Sequence, residues 1–254
     1  MMDEEEFIQA IRQSLGTLGI CASRLPERAD LKTADLEAFL GDERYLIEVK
    51  QRERTTNYVD DVANLDPGEV TEMVPERVGN RGNFSRTVRD GVEQLAQSIE
   101  SDADFRLLWL DAGDEDPDLD SRQFEAALCG LVYLYSPDSS HLLECYFFDE
   151  SEFFRCRTNL DGAVISEGNE WRLILNPYSP RYSSLRDGDL VAKLGEAAWD
   201  PFKLESIGKL LVADCEIDRR NSADVLDYVS TKYSMRLNVM PLARYGGLMV
   251  TEGN

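Results

Sequence analysis

The spacing of apolar residues changes period several times along the chain. Ile8, Ile11, Leu15 and Leu18 recur at helical intervals, which predicts an amphipathic helix over residues 4 to 18. Ile20 to Leu25 reads as a first strand. From Ala34 to Leu40 the period becomes two, with Asp35, Glu37 and Phe39 alternating against Leu36, Ala38 and Leu40. Tyr45 to Lys50 is apolar until its polar end, and Gly41-Asp42-Glu43-Arg44 supplies turn chemistry between the two runs. The pair predicts a β-hairpin. Helical spacing returns from Phe84 to Ile99, with Val88, Val92, Leu95 and Ile99 directed inward and Ser85 as the N-cap. Phe105 to Leu110 is a buried strand.

Beyond it, residues 111 to 120 are crowded with acids but lack the spacing and terminal Glu of a calcium loop. Pro117 interrupts them, so they read as a solvated linker and a boundary. Further apolar runs lie at Phe124 to Tyr135, Leu142 to Phe148, Trp171 to Leu175 and Leu210 to Cys215. A helix is expected over Ser222 to Tyr233, then strands near Leu237 to Met240 and Gly247 to Val250. The pattern predicts an α/β chain with a core over 1–112. A mixed C-terminal region over 121–254 either extends the same sheet or forms a second domain. The polar stretch from 55 to 83 is long for a compact domain and reads as a functional or disordered loop.

Residues two apart in a strand project to one side, so Glu48 and Lys50 point together while Val49 points away. Hairpin pairing brings Asp35 beside them. Two carboxylates and an ammonium at one sheet edge suit a hard metal ion and an attacking water. Exposed strands also carry Glu-x-Lys as a plain charge pattern, and the apolar run leading into Glu48 distinguishes this one.

Asp35…Glu48-Val49-Lys50 after a hairpin resembles the core motif of the PD-(D/E)XK nuclease superfamily, over residues of about 4 to 111. Ala34 stands where that family usually has Pro. The resemblance implies a restriction-endonuclease-like mixed sheet flanked by helices, and a Mg²⁺- or Mn²⁺-dependent nuclease acting on DNA in restriction, phage defence or repair. Asp35 and Glu48 would be metal ligands with the Val49 carbonyl as a third, and Lys50 would position the attacking water. A first-helix Glu completes the metal site in many such nucleases. Glu4 is a candidate here, with Glu5 or Glu6 in its place after a small shift of register, although acids in a first turn also complement the helix dipole. Many relatives place a Gln on the following helix, which makes Gln94 a candidate for positioning water or phosphate. The exonuclease-type Gln-xxx-Tyr pattern is absent, with Ser98 where Tyr would stand. Many such nucleases dimerise to cut both strands, so a homodimer is one arrangement the resemblance allows.

The formal net charge of −22 argues against nonspecific coating of nucleic acid, because phosphate contacts need Lys and Arg. It leaves room for a local basic groove: Arg77, Arg81, Arg86 and Arg89 have no acid among them, and Arg52 and Arg54 directly follow the motif. Arg52, Arg81, Arg86 and Arg89 are therefore the candidate phosphate contacts. The same acidity motivates an alternative, a catalytically silent nuclease-like fold whose acidic surface meets a basic partner protein. His141 is the single histidine and sits after a turn, which excludes machinery built on several histidines. Five cysteines without a CxxC pair read as reduced thiols. With no membrane-length apolar run and an acidic N-terminus, the expectation is a soluble, cytoplasmic protein. Tyr178, Arg181 and Tyr182 in a Pro-rich turn either recognise a partner or simply pack.

Overall fold

A computed structural model of the chain describes residues 4–26, 33–51, 70–72, 82–98, 103–113, 117–138, 141–168, 170–240 and 248–250. Its first half runs α1 (Glu4–Thr17), β1 (Cys21–Arg24), β2 (Leu36–Leu40), β3 (Glu43–Gln51), β4 (Val70–Glu72), α2 (Gly82–Gln97) and β5 (Phe105–Asp111). Then come α3 (Pro117–Cys129), β6 (Val132–Tyr135), β7 (Leu142–Tyr146), α4 (Glu152–Arg155), β8 (Gly162–Glu167) and β9 (Glu170–Leu175). The chain continues through α5 (Tyr182–Arg186), α6 (Asp189–Leu194), β10 (Ala198–Trp199), α7 (Pro201–Ser206), β11 (Leu211–Val212), α8 (Ser222–Tyr233), β12 (Asn238–Val239) and β13 (Leu248–Val250).

The hairpin forms where the alternation placed it. Leu40 pairs with Glu43, leaving Gly41-Asp42 as a two-residue connection. Gly41 takes φ +60°, a left-handed conformation that glycine adopts without a Cβ clash. β3 pairs antiparallel with β2 and parallel with β5, and the parallel step needs a crossover, which carries α2. β8 joins parallel to β5, and β9 and β10 follow. The result is a seven-stranded mixed sheet in the order β1-β2-β3-β5-β8-β9-β10, flanked by helices as expected. Residues beyond 121 therefore extend the first sheet through β8, β9 and β10. They also build a four-stranded sheet, β11-β7-β6-β12, while β4 pairs with β13.

Both faces of the main sheet are covered, which accounts for the almost unbroken burial of Tyr45, Leu46, Ile47 and Glu48 along β3. On one face, Ile8, Ile11 and Leu15 of α1 pack with Leu36, Ala38, Ile47, Leu107 and Trp109. On the other, Val88, Val92 and Leu95 of α2 and Phe124 of α3 pack with Leu46, Leu108 and Leu110. By strand alternation, Glu48 and Lys50 share the α2 face with Leu46.

Two expectations need correction. Ser85 is not an N-cap: α2 starts at Gly82, and Ser85 is buried within the helix with its hydroxyl hydrogen-bonded to Glu152. The acidic run from 111 is not a solvated linker among its described residues. Asp111 ends β5, buried, and its Oδ1 accepts from Ser166 Oγ at 2.9 Å. Pro117 opens α3, where its fixed φ suits the first helical position, and Asp118 and Asp120 occupy the dipole-favoured first turn. Acid density misled because it marks helix starts as readily as loops.

Tyr178 packs edge-on against Phe147 and Phe154, Tyr182 Oη donates to Asp200, and Arg181 pairs with the buried Asp161, so this Pro-rich turn is a packed corner. Cys129 and Cys145 are buried, and His141 is exposed. No helix among the described residues is long and apolar enough to cross a membrane.

Candidate active site

Three backbone ties hold the segment that carries Asp35. Leu25 N–H donates to the Asp35 carbonyl at 2.8 Å, joining it to the end of β1. Ala34 N–H donates to Ser98 Oγ at 2.8 Å, joining it to the end of α2. Val49 N–H donates to Asp35 Oδ2 at 2.8 Å, fixing the carboxylate itself to β3. Leu36 pairs with Ile47, so one further step along the antiparallel register sets Asp35 against Glu48.

Glu48 is only 2% exposed. Its Oε1 accepts from Lys50 Nζ at 2.5 Å, and Lys50 Nζ also donates to Gln94 Oε1 from α2. Glu48 Oε2 is buried with no hydrogen-bond partner. Burial first, and the neighbouring Asp35 carboxylate second, push the Glu48 carboxyl up to about 8, against the opposing pull of Lys50. A neutral Glu48 can share its proton with Asp35, a contact that disappears once both are ionised. Desolvation outweighs the ammonium because only one of the two carboxylate oxygens meets it.

The tight packing comes from α2. Gly91 sits over β3 and β5 with no side chain, and a Cβ built there would lie 2.7 Å from Leu108 Cδ2, 3.4 Å from Lys50 Cε and 3.5 Å from Glu48 Cγ. Gly91 and Gln94, three residues apart, lie on the same side of the helix. The structure thus brings together Asp35, Glu48, Lys50 and Gln94. Val49 joins them through its N–H, which binds Asp35, while its side chain packs on the α1 face.

The other candidates lie elsewhere. Glu4 is highly exposed and meets Arg24 of β1 at 3.6 Å, with Glu5 on the same guanidinium, at the start of the helix covering the opposite face. Arg89 leaves α2 roughly 140° around the axis from Gln94, by the 100° turn per residue. It lies 3.8 Å from the buried Glu152, which also binds Arg155 at 2.9 Å. Arg86 is exposed on α2. Arg52 and Arg81, with Arg54 and Arg77, fall outside the described residues. Among the described residues no three His, Cys, Asp or Glu side chains converge as a metal cluster, so any ion would rest on two carboxylates.

Gly91 and Ser98 gained positions that the pattern did not announce. A lone glycine inside an amphipathic helix hints at close backbone approach, but what it approaches is decided across 43 residues of chain from Glu48, by the difference of their numbers. Ser98→Ala removes the acceptor for a buried N–H beside Asp35. A loss of about 1–2 kcal/mol in urea denaturation is expected, and an unchanged midpoint would refute the tie.

No family model and no curated protein matches the chain. Among solved structures, Hjc, a Holliday junction resolvase from the archaeal hyperthermophile Archaeoglobus fulgidus, aligns with 42% of this chain and 68% of its own at 21% identity. The TM-score is 0.23, too low for the likeness to bear on the site.

Proposed function

We propose that the chain is a metal-dependent nuclease that hydrolyses phosphodiester bonds in DNA, with Asp35 and Glu48 holding Mg²⁺ or Mn²⁺. The observation that carries this reading is Glu48 Oε2, a buried carboxylate oxygen without a donor, beside a second carboxylate. Once Glu48 is ionised and its proton no longer bridges to Asp35, an unpaired buried acceptor costs about 1–3 kcal/mol, and a cation shared with Asp35 would remove that cost. Two carboxylates, with the Val49 carbonyl as a third oxygen, suit Mg²⁺, which keeps several of its waters. When bound, such an ion supplies Lewis-acid polarisation of a phosphodiester and acidifies water.

The chain's own groups have separable tasks. The Val49 N–H orients Asp35. Lys50 gives one N–H to Glu48 Oε1 and one to Gln94 Oε1, and presents its third toward the position of a water or phosphoryl oxygen. Gln94 restrains the ammonium from the helix side. Arg86 is available for a phosphate, and Arg52 and Arg81 remain candidate contacts. For Arg89 such a role competes with its ion pair to Glu152.

Isothermal titration with Mn²⁺ tests the reading directly. Binding to the wild type that weakens tenfold or more, about 1.4 kcal/mol, in Asp35→Asn and in Glu48→Gln is the expected result, accompanied by Mg²⁺-dependent cleavage of plasmid, single-stranded or branched DNA. The net charge of −22 favours a second reading, an acidic subunit that binds a basic protein. A chain that binds neither ion and cuts no nucleic acid would transfer support to it.

A further inference from the structure

We propose that Gly91 is a positioning residue, and that its missing side chain lets α2 approach β3 closely enough for Gln94 to hold Lys50. The kinetic consequence rests on the nuclease reading; the placement of Lys50 does not.

Glu48 and Leu108 are side-by-side neighbours on parallel strands, and Gly91 lies over both. The methylene stems of Lys50 and Glu48, at 3.4 and 3.5 Å, would lie in ordinary van der Waals contact with a Cβ placed there. Leu108 Cδ2, at 2.7 Å, would lie inside that contact distance. Leu108 is fully buried and packed, so it has little room to retreat. An added methyl therefore lifts the helix, and Gln94, one turn further on the same side, is carried away from Lys50 Nζ. Freed from Gln94, the ammonium keeps only Glu48 Oε1 and gains rotational freedom. An ammonium meant to orient a water loses effect with displacements of that size. A glycine in an interior turn costs helix stability, and the close approach to the buried Leu108 is the contact that requires it.

Gly91→Ala tests this. Alanine is the better helix former, so loss of function cannot arise from propensity. The protein should fold with Tm within about 5 °C of wild type. Its kcat for DNA cleavage should fall about tenfold or more while KM changes less than about twofold. In the Leu108→Ala background, where the methyl has room, Gly91→Ala should cost less than about twofold in kcat. A readout independent of cleavage is the Tm shift caused by Gly91→Ala. It should differ by about 2 °C or more between the wild-type and Gln94→Ala backgrounds, because the second has no Lys50–Gln94 bond to disturb. Unchanged kcat in Gly91→Ala overturns the proposal, and so do additive Tm shifts, whatever kcat does. A wild-type chain that cuts no DNA yet shows the Tm coupling overturns the nuclease reading and supports the placement of Lys50.

Discussion

Lys50→Ala is expected to lower DNA cleavage by about 10²- to 10⁴-fold, the range typical of removing one positioned catalytic group, while leaving Mn²⁺ binding in place. The separation follows from the geometry. Lys50 touches Glu48 through Oε1, whereas Oε2 is left without a hydrogen-bond partner and the Asp35 carboxylate is held by the Val49 N–H. Removing the ammonium takes a competing charge away from the ligands, but also the pull that lowers the Glu48 pKa. The comparison of Mn²⁺ binding therefore belongs at alkaline pH, where a proton competes least for that carboxylate. What disappears is the N–H donor at the place where a water or phosphoryl oxygen would stand. Titration calorimetry and a plasmid-nicking assay on the same preparation decide the matter. Full activity in Lys50→Ala would remove the ammonium from the chemistry. Loss of ion binding together with activity would make it part of the site's architecture instead.

Glu48→Gln is expected to stabilise the metal-free protein at alkaline pH by about 2–4 kcal/mol. The direction follows from linkage. The folded-state carboxyl titrates at about 8, above the ordinary 4.5, so the native chain holds the proton more tightly than the unfolded one. Below the ordinary value both states are protonated and the group adds no pH dependence. As pH rises from there through about 8, ionisation penalises the folded state only. The full shift corresponds to about 5 kcal/mol at 1.36 kcal/mol per unit, and relaxation around the ion reduces that. Glutamine keeps an oxygen for Lys50 and does not ionise. Urea denaturation in EDTA should therefore show a Glu48→Gln advantage that is small at pH 5 and grows to pH 9. Saturating Mg²⁺ or Mn²⁺ should narrow it by stabilising the ionised wild type. A pH-independent difference would mean that Glu48 is not the raised group.

Particular elements show how far the chain's pattern carries. The hairpin was legible because two independent signals agree: strict alternation from Asp35 to Leu40, and a glycine where a two-residue turn needs φ above zero. The juxtaposition of Asp35, Glu48 and Lys50 follows from that hairpin, since register and strand period are local properties. Helix α8 was legible over its full extent for a similar reason. α3 was not. Its inward face reads as an apolar run and its first turn as an acidic linker, because Asp serves helix starts and loops alike. Ser85 was misplaced by the same ambiguity, being a good cap residue that here binds Glu152. For Arg89 and Glu4, residue type and element were read as contacts, but direction about the helix and the face of the sheet govern what each one meets.

The amino-acid pattern by itself determined the hairpin, the shared face of Glu48 and Lys50, and the α/β class, since each depends on residues within a few positions of one another. Tertiary packing alone decided the burial of Glu48, the arrival of Gln94 on Lys50, the close seat of Gly91 on Leu108 and the pairing of Ser98 with Ala34. These are contacts between elements separated by tens of residues, and their energies depend on distance and desolvation, quantities that periodicity does not contain.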